Sequence, residues 1–151
     1  LAEKRGHQID HYEVKPTIGN NILWRTVYRD GSKIYVDAIR STWFGKVKIY
    51  EGTSMNAKLF PQDFRGVLVD SPLYHDLERF NLFSNYLIGA DESLPNVLID
   101  ARYSSKSNGK SPMWGLTYNP DDLMEKANFT QFPRSFNDNQ IDNFKSQLWG
   151  E

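Results

Sequence analysis

Apolar and polar residues alternate through Ile22-Leu23-Trp24-Arg25-Thr26-Val27-Tyr28 and again through Lys33-Ile34-Tyr35-Val36-Asp37-Ala38-Ile39, with Arg29-Asp30-Gly31-Ser32 between them. Two β-branched and aromatic runs flanking Asp-Gly predict a hairpin, because a tight turn needs residues that tolerate positive φ. A turn centred on Asp30-Gly31 sets Tyr28 opposite Lys33, Val27 opposite Ile34 and Arg25 opposite Val36. One face then carries Leu23, Arg25, Val27, Ile34 and Val36; the other carries Trp24, Thr26, Tyr28, Lys33, Tyr35 and Asp37. Arg25 thus falls among aliphatic side chains. On a core face its guanidinium needs a carboxylate or several carbonyl acceptors; near a sheet end it reaches water instead.

The same reading applied along the chain predicts a short strand over 12–15 ending at Pro16, and another over 46–51 with Val47 and Ile49 on its apolar face. Residues 52–66 read as a long connection, and Val67-Leu68-Val69 as a short buried edge. Ser71-Pro72 opens a helix, since Ser satisfies free N–H groups and Pro fits the first helical position. Leu73, Leu77 and Phe80 then recur at helical spacing, carrying the helix to Phe83, with His75 on its polar side. Strands follow over 86–89, 96–103 and 113–118, the last two joined by the polar loop 104–112. Residues 121–137 read as a surface segment, and 138–149 as a helix with Ile141, Phe144 and Leu148 on one stripe. Without βα alternation, these elements predict an α+β fold: a mainly antiparallel sheet with two or three flanking helices.

The chain has 151 residues, 39% of them hydrophobic, the size of one domain with its own core. Eighteen basic and 19 acidic residues leave a net charge of −1, so there is no electrostatic footprint for nucleic acid. The absence of cysteine removes disulfides, thiolate metal sites and thiol nucleophiles. No apolar run approaches the roughly 18–20 residues that span a bilayer, and no signal peptide is visible. A start on Leu1 within a polar, helix-like segment suggests a soluble domain, 1–151, excised from a longer chain.

Catalytic motifs are sparse: no GxSxG elbow, no phosphate-cradling loop and no dinucleotide fingerprint occurs. His7 and His11 stand four apart, which on a helix places both on one face at a metal-ligand spacing, with Asp10 as a third ligand. That trio is a weak metal candidate, since no HExxH pattern accompanies it. Asp121-Asp122 reads as turn chemistry. Asp100 and Arg102, at i and i+2 of a strand, project to one face beside Leu98, and Asp100 is expected to pair with Arg25 across the sheet.

Pro16-Thr17, Asn20 and Leu23-Trp24-Arg25 resemble the P-T-P-x-N-x-x-L-W-R signature opening the soluble C-terminal region of YdjM-like bacterial inner-membrane proteins, a family of membrane-bound metal-dependent hydrolases. Arg79-Phe80 leading to Phe83-Ser84 is similar to that family's R-F-x-x-F-S, and Asp100-Ala101-Arg102-Tyr103 to its D-x-R-aromatic-G strand. Ile18 replaces the second proline and Ser104 the glycine. The family's metal-binding motif, of H-R-x-x-T-H-S type, belongs to the membrane-embedded N-terminal half and is absent here. The resemblance implies that Pro16, Asn20, Trp24, Arg25, Arg79, Phe80, Ser84, Asp100 and Arg102 are structural signature residues. It also implies that any divalent metal sits in the N-terminal part, with no cofactor in this chain. The domain then serves its own transmembrane region as an accessory for recognising substrate or partner at the inner membrane, and the absence of cysteine and the short polar loops suit its extracytoplasmic side. Two rivals remain: a free-standing ligand-binding domain with Trp24, Tyr28 and Tyr35 lining its pocket, and a self-contained hydrolase using His7, Asp10, His11 and a metal.

Overall fold

In the computed structural model, which describes residues 1–133 and 137–150, one antiparallel sheet runs through the chain in sequence order. Its strands are β1 (His11–Pro16), β2 (Leu23–Asp30), β3 (Lys33–Arg40), β4 (Lys48–Ala57), β5 (Ile88–Ala90), β6 (Val97–Asp100), β7 (Trp114–Thr117) and β8 (Asn128–Gln131). Two helices accompany it, α1 (Pro72–Phe83) and α2 (Asp138–Trp149), and the mainly antiparallel α+β class follows. Each strand pairs with its chain neighbour, and β1 and β8 form the two edges.

The β2–β3 hairpin forms as predicted, but its register differs by two residues. Asp30 pairs with Lys33, Val27 with Val36 and Arg25 with Ala38, around a two-residue turn at Gly31-Ser32. Gly31 takes the positive φ, 54°. A slip of two preserves the face of every side chain, so Leu23, Arg25, Val27, Ile34 and Val36 remain together and buried.

Strand β4 runs ten residues, from Lys48 to Ala57, through much of the predicted connection. Its buried positions are Met55 and Ala57, whereas Val47 and Ile49 are exposed. Val47 precedes the strand, and Ile49, though paired with Ile39 of β3, keeps its side chain exposed. Val67 is buried but Leu68 and Val69 are exposed and outside any strand, so no buried edge forms there. β8 lies within the segment that carried no strand signal. Of its four residues only Thr130 is half-buried, so edge pairing with β7, not an apolar face, defines it.

Helix α1 begins as its sequence dictates: Ser71 caps it, its hydroxyl accepting from the Tyr74 N–H at 3.1 Å. Leu73, Leu77 and Phe80 pack with Ile88, Leu98 and Leu116 of the sheet. A second apolar cluster joins Val27, Ile34, Val36, Met55, Ala57, Leu87 and Ala101. Helix α2 sits across the ends of β3 and β4, where Arg40 donates to the Leu148 carbonyl and the Tyr50 hydroxyl to that of Gln147. The N-terminal segment crosses the sheet as a strap. Arg5, in a 3-10 turn, grips the buried carboxylate of Asp37 with two hydrogen bonds of 2.9 and 3.0 Å.

Candidate functional site

A cleft of about 720 Å³ opens where the end of β1, β2, the segment after β6 and helix α2 converge. Each wall has a local origin. β1 stops at Pro16, and the chain reverses through a turn locked by Asn20, whose side-chain oxygen accepts from the Ile22 and Leu23 N–H groups at 3.0 and 2.7 Å. Its amide donates to Thr17 Oγ1, and Thr17 in turn donates to the Leu23 carbonyl. This is the side-chain mimicry of backbone turns for which Asn is suited, and it sets Pro16, Thr17 and Ile18 at the cleft.

Arg25 forms the floor. It is 5% exposed, and its guanidinium donates to the carbonyls of Ala101 at 2.8 Å and of Lys106 and Ser107 at 3.0 Å each. Those three carbonyls belong to the loop after β6, so one side chain fixes the backbone of the opposite wall. Its Nε has no hydrogen-bond partner. Burial pushes the Arg25 guanidinium down to about 9, against the opposing influence of the nearby Asp100 charge, so it stays charged at neutral pH.

The expected Arg25–Asp100 ion pair is absent. Followed through the partners Val27–Val36, Ile34–Met55, Ala57–Gly89 and Gly89–Ile99, the face of Arg25 is that of Ile99, and Asp100 projects to the other. Asp100 is instead saturated by Arg102, whose Nε and Nη2 donate to its two oxygens at 2.8 Å each, and by Trp114 Nε1 at 3.2 Å. β6 ends at Asp100, and Arg102 folds back in the following turn, also donating to the Phe83 carbonyl at the end of α1.

Lys15 and Arg102 complete the cationic lining, which among the described residues holds no carboxylate. Two acids stand behind it. Glu13 pairs with Lys15 at 2.7 Å and lies 3.5 Å from Arg102, and Asp100 neutralises Arg102. Burial alone would raise the Glu13 carboxyl, but hydrogen bonds from Lys15 and Asn85 and the charges of Lys15 and Arg102 hold it below the ordinary value. Lys15 also donates to the Tyr103 hydroxyl. The remaining surface is apolar and hydroxylated: Tyr103 packs on Trp114 with ring centroids 4.6 Å apart, Met113 adjoins them, and α2 contributes Gln140, Ile141 and Phe144. The Gln140 side-chain oxygen is buried and unpartnered.

Of the signature residues, Pro16, Arg25 and Arg102 line this cleft, Asn20 locks its rim, and Asp100 orients Arg102. Trp24 is half-buried outside it. Arg79 pairs with Asp76 on the surface of α1, Phe80 is core, and Ser84 is fully buried at the helix end, donating to the Asn81 carbonyl.

The other candidates disperse. His7 and His11 do not share a helix face, because the N-terminal 3-10 turn ends at Gly6 and His11 begins β1. His7 meets the Tyr28 hydroxyl at 2.9 Å and stacks near Tyr35, Asp10 accepts from the Gly31 N–H, and His11 lies edge-on to Tyr86. Among the described residues, no group of three or more His, Asp or Glu side chains is arranged to hold a metal ion. Tyr28 is 5% exposed beneath the strap, so the aromatic trio of Trp24, Tyr28 and Tyr35 lines no pocket at this site. Sequence inspection missed Lys15, Tyr103, Trp114 and the cleft face of α2; the Ile141–Phe144 stripe was visible, but nothing in it named what it would face. No helix is long and apolar enough to cross a membrane among the described residues. Compared with protein-family models, curated proteins and solved structures, the chain matches none.

Proposed function

We propose that this chain is a recognition domain whose ligand-binding surface is the Arg25 cleft. The observation that carries the reading is a buried, charged arginine lining a cavity with no carboxylate among its partners in the described residues. An uncompensated buried charge costs several kcal/mol, roughly, and such cost concentrates where a ligand supplies the missing partner. The cleft size suits a small molecule, within the range of about 300–1,000 Å³ typical of ligand sites. Among the described residues its lining offers hydroxyls but no histidine or carboxylate to activate them, which favours binding over catalysis within this chain.

The resemblance supports a wider setting: an extramembranous accessory domain of a YdjM-like inner-membrane hydrolase, with the metal borne by the N-terminal membrane region and the cleft presenting substrate to it. Membrane fractionation of the native gene product tests the setting, a purely soluble product overturning it. The cleft itself is tested by saturation-transfer NMR with a fragment library. Ile141→Trp fills the mouth, so fragments bound by the wild type should lose at least tenfold in affinity; equal binding to both forms removes the cleft as the site.

A further inference from the structure

The geometry points to one class of ligand for this cleft, an amphiphilic monoanion: a single carboxylate, sulfonate or phosphate-type group at the Arg25 end, joined to an apolar body lying along Trp114, Met113, Ile141 and Phe144. The inference rests on the cleft being a recognition site and adds the chemistry of what it recognises.

The charge balance sets the sign and the number. Among the described residues three cations line the cleft, Lys15, Arg25 and Arg102, and two carboxylates stand behind them, Glu13 and Asp100. Lys15 is matched by Glu13 and Arg102 by Asp100, through contacts of 2.7 and 2.8 Å. Arg25 is left with carbonyl oxygens alone, which accept from its two Nη groups but do not cancel its charge. One uncompensated positive charge in a poorly solvated wall attracts one negative charge. A polyanion such as a nucleoside triphosphate would need further free cations, and Lys15 and Arg102 are already engaged. The attraction is strong because Arg25 is buried, where a charge is screened far less by salt than on the surface.

The apolar part of the lining sets the body of the ligand. Trp114, Met113, Ile141 and Phe144 give the cleft apolar surface, and Tyr103, packed against Trp114, joins it to the cations through the hydrogen bond its hydroxyl accepts from Lys15. Gln140, whose side-chain oxygen is buried without a hydrogen-bond partner, adds a polar residue to this lining. A purely polar anion would leave the apolar wall unused, and a neutral hydrocarbon would leave the Arg25 charge unanswered.

The test uses two fluorescent probes with the same aromatic body, 1-anilinonaphthalene-8-sulfonate and the uncharged N-phenyl-1-naphthylamine, titrated into the 151-residue chain. The sulfonate is expected to bind one to one and at least tenfold more tightly than its neutral analogue. Decanoate should displace it and decanol should not, and Ile141→Trp should abolish binding of both probes. Arg25→Met should bring the two affinities together by weakening the sulfonate alone. The wild-type ratio decides the matter without that variant should it fail to fold. Equal wild-type affinities for the two probes overturn the monoanion inference while leaving the cleft a recognition site. Sulfonate binding that Ile141→Trp does not change places the probe elsewhere and overturns the inference too. Failure of both probes and of every fragment to bind overturns the inference and the recognition reading together.

Discussion

Asp100 receives its ionic hydrogen bonds from Arg102, two residues along the chain, at 2.8 Å to each oxygen, and none from Arg25. The consequence is a division of labour between two cations of the cleft. Arg102 compensates a carboxylate and ties the end of β6 to the end of α1, whereas Arg25 is free of any carboxylate and faces the cleft.

Asp100→Asn keeps the shape of the side chain but removes the charge that answers Arg102, whose own side chain is largely buried. Breaking one partner of a buried pair costs about 3–5 kcal/mol, and urea denaturation should show a loss of about 3. A change below about 1 kcal/mol would mean that Arg102 finds compensation in Glu13 alone.

The strap of residues 1–6 should behave as part of the domain. Asp37 is 1% exposed and holds both Arg5 and the Gly52 N–H, the latter at 2.9 Å. Arg5→Met, or removal of residues 1–6, should destabilise the chain by about 3 kcal/mol by leaving the carboxylate without its cation. Hydrogen exchange should then show faster opening of β3 and β4 than of β6 and β7.

Gly52 admits no side chain. A Cβ there would meet the backbone oxygens of Asn108 and Val36 at 2.1 and 2.2 Å, neither of which moves cheaply. Gly52→Ala should cost about 3 kcal/mol, read as a lower midpoint in thermal unfolding, while Gly31→Asn, in an open turn, should cost less than about 1.

Ser71 supplies a cap that can be removed cleanly. Ser71→Ala should cost about 1 kcal/mol in α1 stability, and Ser71→Asp should restore most of it. Equal losses in both variants would show that the burial of Ser71, and not its acceptor, matters.

Stability should fall at the acid end for an identifiable reason. Glu13 titrates below its ordinary value of 4.5 in the folded chain, and Asp91, hydrogen-bonded by Lys110, below its ordinary 3.8. A depressed folded value means the unfolded chain binds protons first, so this stabilisation is complete above the ordinary values and is lost as pH falls through the folded ones. The denaturation midpoint should therefore be flat from neutrality to about pH 5.5 and decline below 4.5. Glu13→Gln should flatten that acid limb while lowering the plateau, and a limb of unchanged steepness would remove Glu13 as its source.

Local chemistry alone determined a good deal. The β2–β3 hairpin, the Ser71 start of α1 and its buried Leu73–Leu77–Phe80 stripe, the β6–β7 pairing and the span of α2 all follow from periodicity, capping and turn residues, which act over a few positions. The need of Arg25 for acceptors was also written in its place among aliphatic neighbours, though not which acceptors.

What only the tertiary structure decided is long-range. The hairpin register differs by two residues from the one its turn suggested, and both registers bury the same face, so the face pattern by itself could not choose between them. β8 and the second half of β4 exist because neighbouring strands offer unpaired N–H and carbonyl groups, a signal absent from their own residues. His7 and His11 parted because Gly6 ends the N-terminal turn in the left-handed region and edge pairing draws His11 into β1. The cleft gathers residues from 15 to 144, so no window of sequence contains it. Arg25 and Asp100 fell on opposite faces through the parity of four successive strand pairings, and that parity, fixed by the fold as a whole, left one arginine without a carboxylate at the floor of a cavity.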